Sequence, residues 1–252
     1  MIKLERGECP KELSEEVVKS LTEMYKQNKD KDVWNNPIIK KPLKEALLNM
    51  SYSKCVYCEC KLNIESKDAT IDHFKPKVNN EDRVVEWSNL VPSCLRCNRN
   101  KSCKEDEIIN PFDIDPKKHL AVRKENKYRI KEKTELGKNT RKVLKLNDVD
   151  RLMVARMAVC EKIIDKLEEL EEDIGVVGLE TRYITRFENI MQECSKDTDY
   201  SAVKAINILS CESYIRIKKI LISKEKWSIR LDGLEDELKS IALDLVWKIY
   251  FY

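Results

Sequence analysis

Two Cys-x-x-Cys knuckles, Cys55-Val56-Tyr57-Cys58 and Cys94-Leu95-Arg96-Cys97, constrain this chain more than anything else in it. Two such pairs can supply four thiolates in a tetrahedron around Zn²⁺, and a site closed by four sulfurs has no open position for catalysis, so zinc bound there is a structural staple. An iron–sulfur cluster uses the same soft ligands and stays open on spacing alone. The 35 residues between the knuckles exceed what a simple ribbon needs and leave room for an inserted pair of strands.

The ten cysteines of the chain would mean something else in an oxidising compartment. The start, MIKLERGECP, is charged where a secretion signal is apolar, and no apolar run approaches the roughly 20 residues that cross a bilayer. The expectation is a cytoplasmic protein without membrane contact, in which disulfides are rare and cysteines are metal ligands or buried thiols. Cys60 and Cys103 sit outside the two-residue spacing and read as neighbours of the zinc or as incidental. Cys9, Cys160, Cys194 and Cys211 read as buried thiols.

Periodicity divides the 252 residues into three parts: an N-terminal helical segment (1–53), a zinc-stapled core (54–110), and a connector with a C-terminal helical domain (111–252). Leu13, Val17, Leu21 and Met24 form the apolar stripe of a first helix over Pro10 to Lys29, which Trp34 to Pro37 breaks. Leu43, Leu47 and Leu48 mark a second, from Pro42 to Met50. Within the core, Ala69 to Ile71 and Arg83 to Trp87 read as two short strands, followed by a helix that Ser93 caps and that carries Arg96, Arg99 and Lys101 outward. Leu120 to Arg123 and Tyr128 to Lys131 suggest a hairpin. From Thr140 onward the pattern is helical to the end, as in Asp150 to Glu172, where Leu152, Ala155, Val159, Ile163, Leu167 and Leu170 share one side. The fold class is α-rich α+β: a small zinc-stapled ββα core flanked by N-terminal helices and a C-terminal all-helical region.

The formal charge of +3 is too small to argue for nucleic acid, although residues 54–104 hold ten Lys/Arg against seven Asp/Glu. The chemistry lies in Asp72-His73, inside the staple. His73 is one of only two histidines, the other being His119, which reads as structural. An imidazole with an ordinary pKa near 6.5 suits general-base activation of water at neutral pH. Along an extended strand Asp72 points away from His73, so the pair serves one site only if the backbone turns. Asp72 and Asn98 offer hard oxygen donors of the kind Mg²⁺ or Mn²⁺ takes, and Arg99 and Lys101 offer cations to phosphate. Asn89 is placed to pin the loop between the strands and so orient His73.

The stretch CVYCEC, ATIDHF, EWSNLVPSCLRCNRNK resembles the zinc-containing HNH, or ββα-metal, endonucleases over about 50 residues and in the family's order. That resemblance implies phosphodiester hydrolysis, with Asp72 and Asn98 as ligands of the catalytic Mg²⁺ or Mn²⁺, His73 as general base and Asn89 as its orienting residue. Cys55, Cys58, Cys94 and Cys97 would hold the structural zinc. Asn98 stands where many members have histidine, a substitution the family tolerates. The flanks, Met1 to Gly7 with Pro10, the helix before Cys55, and Asn110-Pro111 followed by His119, resemble the HNH subunits of Septu anti-phage and some retron defence systems. This narrower likeness implies an ABC/AAA-type ATPase partner and a nucleic-acid substrate, DNA before RNA or tRNA, with the C-terminal helices free for partner binding or homodimerisation. The competing reading is a zinc module that binds nucleic acid or protein without cutting.

Overall fold

Helical periodicity at the two ends of the chain and broken, β-branched pieces between them give an α-rich α+β fold in the computed structural model, which describes residues 1–63, 69–104 and 106–247. Helix α1 (Glu15–Gln27) is capped by the Ser14 hydroxyl on the Val17 amide. After a single turn at Val33–Asn35, helix α2 runs from Pro37 to Met50. It starts earlier than its leucines suggest, because Asn36 caps it and Pro37 fills the first turn, where a missing N–H does no harm. These helices bury Leu21, Tyr25, Ile39, Leu43 and Leu47 against Val84, Val85 and Leu90 of the central region.

The ββα unit consists of β1 (Ala69–His73), β2 (Leu90–Cys94) and α3 (Leu95–Lys101), with β1 and β2 antiparallel and His73 opposite Leu90. The second strand is therefore not Arg83 to Trp87. Val84 and Val85 are buried, yet they lie in a loop between the single turns Glu81–Arg83 and Trp87–Asn89. Pro92 is tolerated within β2 because its carbonyl points away from β1, accepting from Val56 N at 3.2 Å, so the absent N–H belongs to the outer edge of a two-stranded ribbon. The cap of α3 is Cys94 rather than Ser93: its sulfur accepts from Cys97 N at 3.4 Å, and Ser93 instead meets the Thr70 hydroxyl at 3.1 Å.

The hairpin appears as β3 (Leu120–Arg123) and β4 (Asn126–Glu132). Helices α4 (Glu135–Val143), α5 (Val154–Val177), α6 (Thr181–Gln192), α7 (Ser201–Leu209), α8 (Glu212–Ser223) and α9 (Ile229–Ile241) follow. The C-terminal part is not helical throughout, since β5 (Asp244–Val246) pairs parallel with β3 and completes a sheet ordered β4-β3-β5. One core joins Met1, Ile2 and Leu4 to the knuckles, β3, α4 and α7, and a second is built by α5 to α9 around Leu167, Phe187 and Ile217. Among the described residues no helix is long and apolar enough to cross a membrane. Cys160, Cys194 and Cys211 are buried as expected, whereas Cys9 is exposed beside Pro10.

Candidate functional site

The four knuckle sulfurs lie within 4.8 Å of one another and all four residues are buried. At a Zn–S distance of about 2.3 Å, the edge of a sulfur tetrahedron is about 3.8 Å, and Cys58 Sγ and Cys94 Sγ are 3.8 Å apart. The donor set fits Zn²⁺. The first knuckle turns tightly because Glu59 takes a left-handed backbone (φ 64°) and Cys55 N donates to Cys60 O at 2.9 Å. Glu59 is fixed there by the Met1 ammonium, by Lys54 at 3.6 Å and by the Ser201 hydroxyl at 2.7 Å. Burial alone would raise its pKa, but the two cations outweigh it and hold the carboxyl at about 2.

The thiol of Cys60 packs against the sulfurs of Cys55, Cys58 and Cys94, and Cys103 is exposed beyond the end of α3. Four thiolates around Zn²⁺ carry a formal excess of two negative charges. Two guanidiniums answer it. Burial opposes the charge on each, while the Cys58, Cys97 and Cys94 sulfurs favour it on Arg96 and Cys58 favours it on Arg156.

Asp72 and His73 face opposite sides of β1, as alternation requires. Asp72 is 4% exposed and turns toward the knuckle and α3: Tyr57 Oη donates to its Oδ2 at 2.7 Å and Lys101 Nζ to its Oδ1 at 3.3 Å. Burial raises the Asp72 pKa, against the opposing pull of Lys101 and Tyr57. Burial also pushes the Tyr57 phenol well up, with Asp72 adding to it, so this hydroxyl keeps the proton it donates. Asn98 joins Asp72 on that side, its amide nitrogen donating at 3.2 Å to Oγ1 of Thr70, two residues before Asp72 on the same strand face. Its carbonyl is the oxygen it can offer a cation. Both hard donors therefore lie on one side of β1, and the two Asp72 oxygens are engaged by Tyr57 and the Lys101 ammonium.

Lys101 does not point outward. It is 2% exposed and also donates to the His73 carbonyl at 2.6 Å, because three residues along a helix bring it onto the face of Asn98, against β1. Arg99 is exposed, as expected. A cleft of about 470 Å³ opens beside Lys101, between Phe74 and Lys75 on one side and Asn110 and Asp113 on the other.

His73 lies on the N-terminal side of the ribbon. Its Nε2 is 2.7 Å from the Val84 carbonyl, which can only accept, so the proton of the neutral ring sits on Nε2 and Nδ1 is left as a base. Trp34 packs edge-on against the imidazole, with centroids 4.8 Å apart at 76°. Desolvation lowers the His73 pKa to about 4, assisted by the charges of Lys77 and Lys101, so the ring is neutral at physiological pH.

Asn89 is 1% exposed and uses its whole amide on the two loops that meet at His73. Its Oδ1 accepts from Lys75 N at 2.7 Å, and its Nδ2 donates to Lys75 O at 3.1 Å and Arg83 O at 3.0 Å. Arg83 precedes the carbonyl that holds the imidazole. Asp72, Asn98 and Lys101 are therefore one group and His73 and Asn89 another: the backbone does not turn between Asp72 and His73, so their side chains lie on opposite faces and only β1 joins the groups. Three participants escaped the sequence reading: Tyr57, Trp34 and the Val84 carbonyl. Tyr57 had a signal, since it sits inside a zinc knuckle; a backbone carbonyl and a distant tryptophan had none. His119 Nδ1 meets the Thr134 hydroxyl at 2.8 Å, at the cap of α4.

Residues 55–104 match the family described as HNH endonuclease. Over 239 residues the chain is 38% identical to the Septu protein PtuB of Bacillus thuringiensis, covering 90% of each. A second Septu protein PtuB, from Bacillus mycoides (strain KBAB4), is 27% identical over 174 residues, 56% of this chain and 58% of the relative.

Proposed function

The chain belongs to the family of the Septu protein PtuB, and from that premise we propose that it is the HNH nuclease of an anti-phage defence system, hydrolysing phosphodiester bonds of nucleic acid, DNA before RNA. The observation that carries the reading is the 2.7 Å contact of His73 Nε2 with the Val84 carbonyl. With Nε2–H committed to the Val84 carbonyl, the acceptor Nδ1 is free to take a proton from an attacking water. The resulting imidazolium keeps the Val84 hydrogen bond, and Asn89 holds both loops in register while it forms.

Asp72 and Asn98 are the residues that would hold Mg²⁺ or Mn²⁺. Bound there, the cation supplies electrostatic stabilisation to the phosphoryl oxygens and the departing 3′ oxygen. Arg99, exposed on α3, supplies charge to the backbone, whereas Lys101 acts from inside by balancing Asp72. An ABC/AAA-type ATPase is the proposed partner. Exposed Val176, Ile222 and Ile229 on or beside the C-terminal helices support a docking role for that region, toward the ATPase or a second copy.

Two features favour the rival reading, a zinc module that binds without cutting: both Asp72 oxygens already have partners, and His73 is only 7% exposed. The deciding experiment incubates plasmid DNA and tRNA with the wild-type chain and with His73→Ala, with Mg²⁺ or Mn²⁺, with and without the proposed ATPase partner. Cleavage that needs His73 is expected. Binding without cleavage by both proteins under every condition would establish the rival.

A further inference from the structure

The side of α3 turned away from Asp72 borders a second cavity, of about 610 Å³, between that helix and the start of α5. Three guanidiniums line it, Arg96 and Arg99 from α3 and Arg151 from the turn before α5, and no carboxylate does. Arg96 Nη1 is buried and lacks a hydrogen-bond partner; Asp148 Oδ2, at 3.7 Å, is within ion-pair range only. Among the described residues no carboxylate lies within ion-pair distance of Arg99 or Arg151, although Arg83, Arg141, Arg186 and Arg216 all have one. Leu152 and Ala155 form the apolar part of the lining, and Cys60 and the knuckle residue Cys94 border the cavity beside Arg96.

We propose that this cavity is a phosphate site that grips the backbone of the nucleic-acid substrate outside the scissile bond, with the exposed Arg99 and Arg151 as its cations. Convergent guanidiniums suit the tetrahedral oxygens of a phosphodiester better than point charges do. Because α3 carries Asn98 and Lys101 on one side and this cavity on the other, a strand held here is held relative to Asp72 through a single rigid helix, itself clamped by the zinc. The inference deepens the nuclease reading and rests on it.

The test is fluorescence anisotropy of a labelled DNA duplex with the zinc-loaded full chain, without Mg²⁺ or Mn²⁺, across a range of salt. Arg99→Gln/Arg151→Gln is compared with the charge-matched Arg182→Gln/Arg230→Gln, whose arginines lie on α6 and α9. Zinc content and circular dichroism confirm that both fold. The cavity variant is expected to bind ~10-fold more weakly at physiological salt and to lower the log–log salt slope by about one, the signature of one lost phosphate contact; the control should do neither. Equal affinity of the cavity variant and wild type, or an equal loss in the control, overturns the proposal. So does competition by ATP or inorganic phosphate that vanishes in the cavity variant while its duplex binding is unchanged, since the cavity then serves a free phosphate ligand. Cleavage by wild type and His73→Ala is followed in parallel with Mg²⁺ or Mn²⁺: if neither cuts under any condition, the nuclease reading fails while the binding comparison still reports on the cavity.

Discussion

The neutral, shielded imidazole of His73 is the most exposed part of the reasoning, and it predicts a number. Its folded midpoint is lowered to about 4 from the ordinary 6.5, chiefly by desolvation, which corresponds to about 3 kcal/mol of preference for the neutral ring. On acidification the unfolded chain takes the proton first. The stability tied to His73 is therefore complete above pH 6.5, declines as pH falls, and is lost once pH has passed about 4. Because the chain has two histidines, its imidazole Cε1 protons give two resonances, and His119→Gln assigns them. In zinc-loaded protein without Mg²⁺ or Mn²⁺, the His73 resonance should stay at its neutral shift down to about pH 5 and titrate near 4. Trp34→Ala admits water to the ring face now packed against the indole and should move that midpoint upward, toward 6.5. A His73 midpoint near 6.5 in the wild type, or no response to Trp34→Ala, would refute the buried, tautomer-fixed base.

Three more expectations follow from the same contacts. Metal analysis of the wild type is expected to find one zinc per chain, which Cys58→Ser or Cys94→Ser should abolish while unfolding the central region, since structural zinc contributes on the order of 10 kcal/mol to folding; retained zinc and fold would remove the four-cysteine assignment. Lys101→Met strands a buried carboxylate and should cost about 3–5 kcal/mol in urea unfolding, with much of it recovered in Lys101→Met/Asp72→Asn; an unaltered single variant would mean that Lys101 does not neutralise Asp72. At Gly137, an added Cβ would lie 2.1 Å from the His119 carbonyl oxygen, so Gly137→Ala should lose about 1–3 kcal/mol and several degrees of Tm by calorimetry; a melting point equal to wild type would contradict that close approach of α4 to β3.

What could be read from the sequence was whatever local chemistry dictates. The Cys-x-x-Cys pairs fixed the staple because ligand spacing is a short-range property, and the stripe through Ile163, Leu167 and Leu170 marked α5 because helical periodicity is one too. The second strand was misplaced because β-branched residues fill buried loops as readily as strands; what keeps Val84 and Val85 in a loop is the Asn89 amide reaching Arg83 and Lys75. The third strand of the C-terminal sheet was missed for a similar reason, since Asp244–Val246 becomes a strand only by finding β3, more than a hundred residues earlier. Lys101 was read as a surface cation, although its spacing of three from Asn98 already placed both on one helix face. If Asn98 was to meet Asp72, Lys101 had to follow it inward.

The separation of Asp72 and His73 across β1 gives the central region its logic. A carboxylate that holds a cation must be reachable by charge, whereas a general base that stays neutral near pH 7 is helped by burial; adjacent residues on a strand satisfy both by facing different surroundings. The Asp72 face belongs to the zinc half of the molecule, through Tyr57 in the first knuckle and Asn98 and Lys101 after the second. The His73 face belongs to the N-terminal half, through Trp34, and to the loop that Asn89 ties down. Both halves therefore pack against β1, one on each face of the Asp72-His73 pair. On the proposed nuclease reading, disrupting the docking of α1 and α2, as Leu43→Ala would at a fully buried contact, should impair cleavage while leaving the zinc in place. Full cleavage by a Leu43→Ala chain shown by proteolysis to have released those helices would disprove that dependence.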